Sequence, residues 1–193
     1  MPRGILVLHA HPAHAASRAN KALRAAIEDL PGVLVHDLYE TYPDFFIDVR
    51  REQDLLLGHD VVVFQHPFYW YSCPPLMKEW LDAVLEHGWA YGPDGDKLRG
   101  KAWMQAVTSA GSEDRYRHGG QNHFTIPELL RPFEQSARLC GMVYLPPFLT
   151  YSSTTRGEAS LAAQAVRYRA LIEQLADGPL PAAFDTIPDR SRT

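Results

Sequence analysis

His9, His11 and His14 occupy one short segment that also carries Ser17, Arg18, Ala19 and Asn20. Imidazole, hydroxyl, guanidinium and amide groups spaced within about one helical turn can together hold an anion. They do so best where a strand runs into a helix N-terminus, because free N–H groups and the dipole favour negative charge there. The segment has neither G-x-G-x-x-G nor G-x-x-x-x-G-K-[ST], so neither glycine-rich phosphate fingerprint is present. No Cys or carboxylate lies between Leu6 and Lys21 to complete a metal site with the histidines. Imidazole donation to a phosphate is therefore the favoured chemistry, and no metal is expected. The plainer alternative is that Ser17 only caps its own helix.

A second segment reads Pro67-Phe68-Tyr69-Trp70-Tyr71-Ser72-Cys73-Pro74-Pro75. Four consecutive aromatics bounded by prolines fit neither strand nor helix periodicity as core. At a ligand-binding strand end they would stack on a planar ring, with a protein interface as the competing use. A third segment, Thr108-Ser109-Ala110-Gly111-Ser112, pairs small side chains with hydroxyls, which lets backbone approach a ligand closely. Beyond it Tyr116, His118 and His123 offer groups able to donate or carry a proton.

These segments need a scaffold that brings them together. Short apolar runs at 4–9, 33–38, 60–66, 102–108 and 143–148 read as buried strands. Between them lie helical patterns: 17–30 with Ser17 as N-cap, 48–58 capped by Asp48, and 75–87 opened by Pro74-Pro75. A fourth runs from a Thr125/Glu128 capping box to Gly141 with a kink at Pro132, and the last opens on Thr155/Glu158 and stops at Gly178-Pro179. Strands alternating with helices predict an α/β fold: a five-stranded parallel sheet, order 2-1-3-4-5, with helices on both faces. Ligands bind such sheets outside the carboxyl ends of the strands at the switch point, where all three segments fall. A phosphate end, an aromatic wall and a polar cradle at one such point describe FMN on a flavodoxin-like fold. Residues 1–178 are expected to form that single FMN-binding domain and 179–193 a tail.

Composition narrows the classes. Lys and Arg number 19 against 23 Asp and Glu, a net charge of −4 with no basic tract, so nucleic acid is not an expected partner. Cys73 and Cys140 are too few for a disulfide framework and match no zinc spacing. The opening apolar run, Ile5 to Leu8, is too short for a membrane span or a signal-peptide core. A cytoplasmic protein is expected.

The block HPFYWYSCPPLMKEWLDAVLEHGWAYG resembles the centre of the flavodoxin-like NAD(P)H:quinone oxidoreductases, the DT-diaphorase-like family. HAHPAHAASRAN and AVTSAG resemble its first and third flavin loops, and the likeness spans roughly residues 4 to 150. It is strongest to a small bacterial branch of general stress protein 14-like oxidoreductases and ancillary subunits of Kef-type potassium efflux systems. The resemblance implies that His11 and Ser17, Arg18, Ala19 and Asn20 hold the FMN phosphate and ribityl chain. Pro67, Phe68, Tyr69, Trp70 and Tyr71 would bind the isoalloxazine, with Trp70 stacking near the ring. Thr108, Ser109, Ala110 and Gly111 would contact its pyrimidine edge, where the family pattern is closer to TTGG. Tyr116 falls where these enzymes carry a catalytic tyrosine. Their partner histidine would fall at Asn122, with His123 one position beyond, so Tyr116 and His123 are the catalytic candidates.

The implied activity passes a hydride from NAD(P)H through flavin N5 to a quinone or related flat aromatic acceptor, with FMN rather than FAD as cofactor. The resemblance also implies a homodimer, and the wide apolar stripe of the 75–87 helix is compatible with one. The alternative it implies is a regulatory ancillary subunit that binds a membrane potassium efflux transporter, sits at the inner face of the membrane, and has secondary flavin activity. An electron-transfer flavodoxin is a third reading, which leaves the Tyr116–His123 loop without a role.

Overall fold

The computed structural model describes residues 2–185. Its centre is a parallel sheet built from β1 (Ile5–His9), β2 (Val33–Asp37), β3 (Val61–Pro67), β4 (Ala102–Thr108), β5 (Val143–Tyr144) and β6 (Phe148–Thr150). The order is β2-β1-β3-β4-β5, with β6 also pairing β4, as expected for a doubly wound sheet.

The two faces follow from alternation along β1, β3 and β4, which are buried at every position. Leu6 and Leu8 of β1, Val62 and Phe64 of β3, and Trp103 of β4 join one core cluster. It is covered by α2 (Leu38–Thr41), α3 (Val49–Leu57), α4 (Pro75–Val84), α5 (Ile126–Leu129) and α6 (Arg131–Leu139). Ile5, Val7, Val61, Val63 and Met104 point the other way, toward α1 (Arg18–Ala25) and α7 (Glu158–Asp177).

Several element boundaries differ from the periodicity reading. The first helix ends at Ala25, and residues 26–30 continue as turns that still bury Ile27. Leu38 starts α2 instead of closing β2, because the Asp37 carboxylate accepts the N–H groups of Tyr39 and Glu40. The Thr125/Glu128 capping box forms, but the helix splits at Leu130; Pro132 then sits at the start of α6, where its missing N–H costs nothing. The expected fifth strand is two strands, since Pro146-Pro147 between them cannot donate to a ladder. The Thr155/Glu158 box does not form: Gly157 caps α7 and the Thr155 hydroxyl donates to the Ser152 carbonyl.

The apolar stripe of α4 is core. Leu76, Met77, Trp80 and Val84 are fully buried within this chain, so the stripe gives no support to a dimer interface. In the expected tail, Phe184 packs on the first cluster and its N–H donates to the Tyr144 carbonyl at 2.8 Å. Residues 186–193 lie outside the described residues.

Candidate functional site

The order β1-β3-β4 sets three strand ends side by side, and backbone bonds lock their loops in register. Ala10 N–H donates to Gln65 O, Phe68 N–H to Thr108 O, and Ser109 N–H to Thr150 O. A cleft of about 460 Å³ opens over these ends, within the range that takes a cofactor-sized ligand. Of the residues expected at the site, His11, Ser17, Arg18, Ala19, Pro67, Phe68, Tyr69, Thr108 and Ala110 line it.

One end of the cleft is built to donate. His11 Nδ1 accepts the Ala13 N–H at 3.1 Å, which leaves the ring proton on Nε2. Burial, then repulsion from His14, pushes the His11 pKa down, so the ring is a neutral donor. Ser17 Oγ accepts from Asn20 N–H and from Asn20 Nδ2, so Ser17 caps α1 and its own hydroxyl proton remains to donate. Arg18, the first residue of α1, adds a guanidinium and the helix N-terminus.

Asn20 does not face the cleft. It is buried beneath it, donating through Nδ2 to Thr108 Oγ1 at 2.8 Å, while its backbone carbonyl accepts from Gln65 Nε2. Tyr168 OH donates in turn to Gln65 Oε1 at 3.1 Å. Ser109 is likewise buried; its hydroxyl oxygen accepts the Gly111 N–H at 3.2 Å and so shapes the loop from below.

The aromatic segment forms a tight turn. Tyr69 and Ser72 exchange both backbone hydrogen bonds, and the two residues between them, Trp70 and Tyr71, take φ of 49° and 64°. A two-residue turn with both central residues left-handed is the geometry for which Asn-Gly is preferred. Placing Trp and Tyr there costs about 1–3 kcal/mol each. Such strain presents the rings at the rim: Trp70 is 93% exposed and Tyr71 half-exposed. Phe68 and Tyr69 form the wall proper, with Phe68 edge-on to Tyr71 and to Tyr116.

Tyr116 comes from the loop after β4. Its ring lies over Gly111, where an added Cβ would sit 2.8 Å from Tyr116 Cε2, so the absence of a side chain at 111 permits the approach. Gly111 thus seats Tyr116 and does not line the cleft. His123 is exposed with φ 60°, and its ring makes no hydrogen bond among the described residues. Asn122 is the residue joined to the aromatic turn, its Oδ1 accepting from Tyr71 OH at 3.2 Å. His118 is taken up by Glu128 at 2.9 Å. The Glu128 carboxyl is held at about 2, chiefly by the Thr125 N–H and then by His118.

Ala13, Ala16, Ser153 and Thr154 also line the cleft and were not anticipated. Ser153 and Thr154 follow β6, and the Ser153 N–H donates to Ser109 O at 2.8 Å. The run of hydroxyls from Ser152 to Thr155 beyond the last strand was the available signal.

A family model described as "Flavodoxin-like fold" matches residues 3–172. The chain is 50% identical over 163 residues to the "Uncharacterized NAD(P)H oxidoreductase YdeQ" of Bacillus subtilis, covering 84% of this chain and 83% of the relative. It is 47% identical over 164 residues to the "Glutathione-regulated potassium-efflux system ancillary protein KefG" of Enterobacter sp., covering 85% and 90%. Among solved structures, general stress protein 14 of Treponema denticola in complex with FMN superposes with a TM-score of 0.84 at 39% identity, covering 89% of this chain and 99% of that one. An NADPH-quinone reductase from P. pentosaceus gives a TM-score of 0.81 at 32% identity, covering 91% and 99%. No described helix is long and apolar enough to cross a membrane.

Proposed function

Because the chain belongs to the flavodoxin-like fold family, we propose that it is an FMN-dependent NAD(P)H:quinone oxidoreductase and that residues 1–178 are its one FMN-binding domain. The observation that carries this reading is the meeting of His11, Ser17 and Arg18 with Phe68 and Tyr69 in one cleft across the β1, β3 and β4 ends. Donors for a phosphate and a wall for a flat ring are the two things FMN requires, so the residues present fit the group. The names of the similar proteins, an NAD(P)H oxidoreductase, an FMN complex and an NADPH-quinone reductase, support the same choice.

When bound, FMN supplies acceptance of a hydride from NAD(P)H and its delivery to a quinone or related flat aromatic acceptor. The protein's part is positional and electrostatic. His11 Nε2–H, Ser17 Oγ–H and Arg18 would hold the phosphate, with Ala19 N–H at the first turn of α1. Phe68 and Tyr69 would orient the ring, and Trp70 and Tyr71, on the exposed turn beside them, would shield it from water. Thr108, Ala110, Ser153 and Thr154 offer hydroxyl and backbone donors to its polar edge. Tyr116, edge-on to Phe68 of the wall, would offer a phenol O–H to steady negative charge as it develops. His123, exposed on the same loop, is the candidate for a second proton-active group.

The exposed Trp70 and half-exposed Tyr71, joined through Asn122 to the segment that carries exposed Phe124, are the surface we assign to a homodimer contact. Sedimentation at micromolar concentration tests that assignment, and a monomer rejects it. A cytoplasmic location is proposed on the same family grounds. The likeness to KefG favours a second role as the ancillary subunit of a potassium efflux transporter, held peripherally at the inner face of the membrane. Co-purification with such a transporter supports that role.

Titration of the apoprotein with FMN, read by quenching of flavin fluorescence, tests the cofactor assignment. Saturation at one FMN per chain, tighter than FAD, is expected; no quenching contradicts it.

A further inference from the structure

His9 and His14, the loop histidines that do not line the cleft, face one another and an acid from the neighbouring strand. His9 Nε2 lies 2.9 Å from His14 Nδ1 and 3.9 Å from Asp37 Oδ2. All three atoms fall within 4.8 Å of one another. We propose that His9, His14 and Asp37 form a binding site for a divalent cation of the zinc class, with water completing a tetrahedron. The proposal does not depend on the flavin reading.

The spacing suits such an ion. Zinc–nitrogen and zinc–oxygen distances near 2.0–2.2 Å put tetrahedral ligand atoms roughly 3.3 Å apart. The observed 2.9 and 3.9 Å bracket that separation and the whole set lies within 4.8 Å, so side-chain rotation that replaces the His9–His14 hydrogen bond closes the site around an ion. Two imidazoles and one carboxylate select zinc, cobalt or nickel over magnesium or calcium, which prefer all-oxygen sets. A search for a carboxylate near the histidines in sequence misses Asp37, which arrives from the end of β2 because β1 and β2 pair with His9 opposite Asp37.

Geometry aims each ligand at the site. His9 is wholly buried at the end of β1, with Nε2 turned toward both His14 and Asp37. Packing and the hydrogen bond to His14 orient this ring, while Nδ1 on its other side has no partner. Asp37 Oδ1 accepts from Tyr39 N–H at 3.0 Å and Glu40 N–H at 3.2 Å, which fixes the carboxylate with Oδ2 toward His9. His14 is partly exposed on a single 3-10 turn, His14–Ala16, and can adjust.

Arg24 competes for the same oxygen, with Nη1 2.8 Å from Asp37 Oδ2. Its guanidinium also meets Glu28 at 2.5 Å and Glu40 at 3.8 Å, so other acids offset its charge. A carboxylate oxygen has a further lone pair for the metal while it accepts from Arg24, as outer hydrogen bonds to metal-bound carboxylates commonly do. Arg24 therefore orients the ligand while lowering the site's affinity.

The test uses full-length untagged protein stripped with chelator, titrated with zinc chloride by calorimetry and with Co²⁺ by visible absorbance. One ion per chain is expected, with the intense absorbance of tetrahedral Co²⁺ displaced by zinc. His14→Ala should weaken zinc binding by roughly tenfold or more and remove the band, while the melting temperature of the metal-free protein stays put. Asp37→Asn, which keeps the cap acceptor, should do the same to the metal. His11→Ala removes a neighbouring imidazole and should leave the band in place. Absence of a stoichiometric ion overturns the proposal. So does zinc binding undiminished in His14→Ala or Asp37→Asn, or lost equally in His11→Ala.

Discussion

The side-chain amide of Asn20 donates to the Thr108 hydroxyl at 2.8 Å, tying the first turn of α1 to the end of β4 beneath the cleft. One buried hydrogen bond thereby fixes the phosphate end of the site relative to its polar edge. Asn20→Ala strands the Thr108 hydroxyl and leaves a small void, so a loss of about 1–3 kcal/mol in urea unfolding is expected. FMN affinity should fall in the same variant although Asn20 does not face the ligand.

Tyr116 is assigned to charge stabilisation and not to binding. Tyr116→Phe should slow flavin reduction in stopped-flow measurements while the FMN dissociation constant stays within a few-fold of the parent. Gly111→Ala should reproduce that defect from a distance, because its Cβ would meet Tyr116 Cε2 at 2.8 Å. Unchanged reduction rates in both variants would remove Tyr116 from the mechanism.

The turn at Trp70 and Tyr71 holds two left-handed non-glycine residues. Replacing the pair by Asn-Gly relieves that strain and should raise stability by about 1–3 kcal/mol in denaturant unfolding. Turnover of a quinone should fall in the same variant, since the rings that cover the reacting face are gone. Higher stability with full turnover would make the rings dispensable.

Glu52 is wholly buried and accepts from Tyr42 OH at 2.5 Å, Trp80 Nε1 at 2.7 Å and His36 Nε2 at 2.8 Å. Burial pushes its carboxyl up, but these hydrogen bonds outweigh burial and hold it below the ordinary 4.5. The unfolded chain therefore takes up the proton first. The stabilisation is complete above about pH 4.5 and is lost as pH falls through the lower folded value. Glu52→Gln should be less stable at neutral pH and show a flatter decline in melting temperature below pH 4.5.

The parallel sheet was legible because apolar runs in β1, β3 and β4 mark strands covered on both faces, and the order 2-1-3-4-5 is one of the two common forms of such a sheet. The three ligand loops were legible for the same reason: once the strands are placed, their carboxyl ends follow. What the one-dimensional pattern hides is direction. Asn20 and Ser109 sit in the right loops yet point under the cleft, and nothing in their spacing distinguishes lining from support. The α4 stripe looked wider than one buried face needs, but its helix is enclosed by the chain's own core. Ser153 and Thr154 went unseen because Pro146-Pro147 divides the last strand and hides where its carboxyl end falls.

The most direct test of the account is an anaerobic absorbance experiment on the FMN-loaded full-length protein. Addition of NADPH, or of NADH, should bleach the oxidised flavin bands, and a following addition of benzoquinone should restore them within the mixing time. Bands that persist in the presence of both NADPH and NADH, or bleached bands that quinone fails to restore, would contradict the reductase reading.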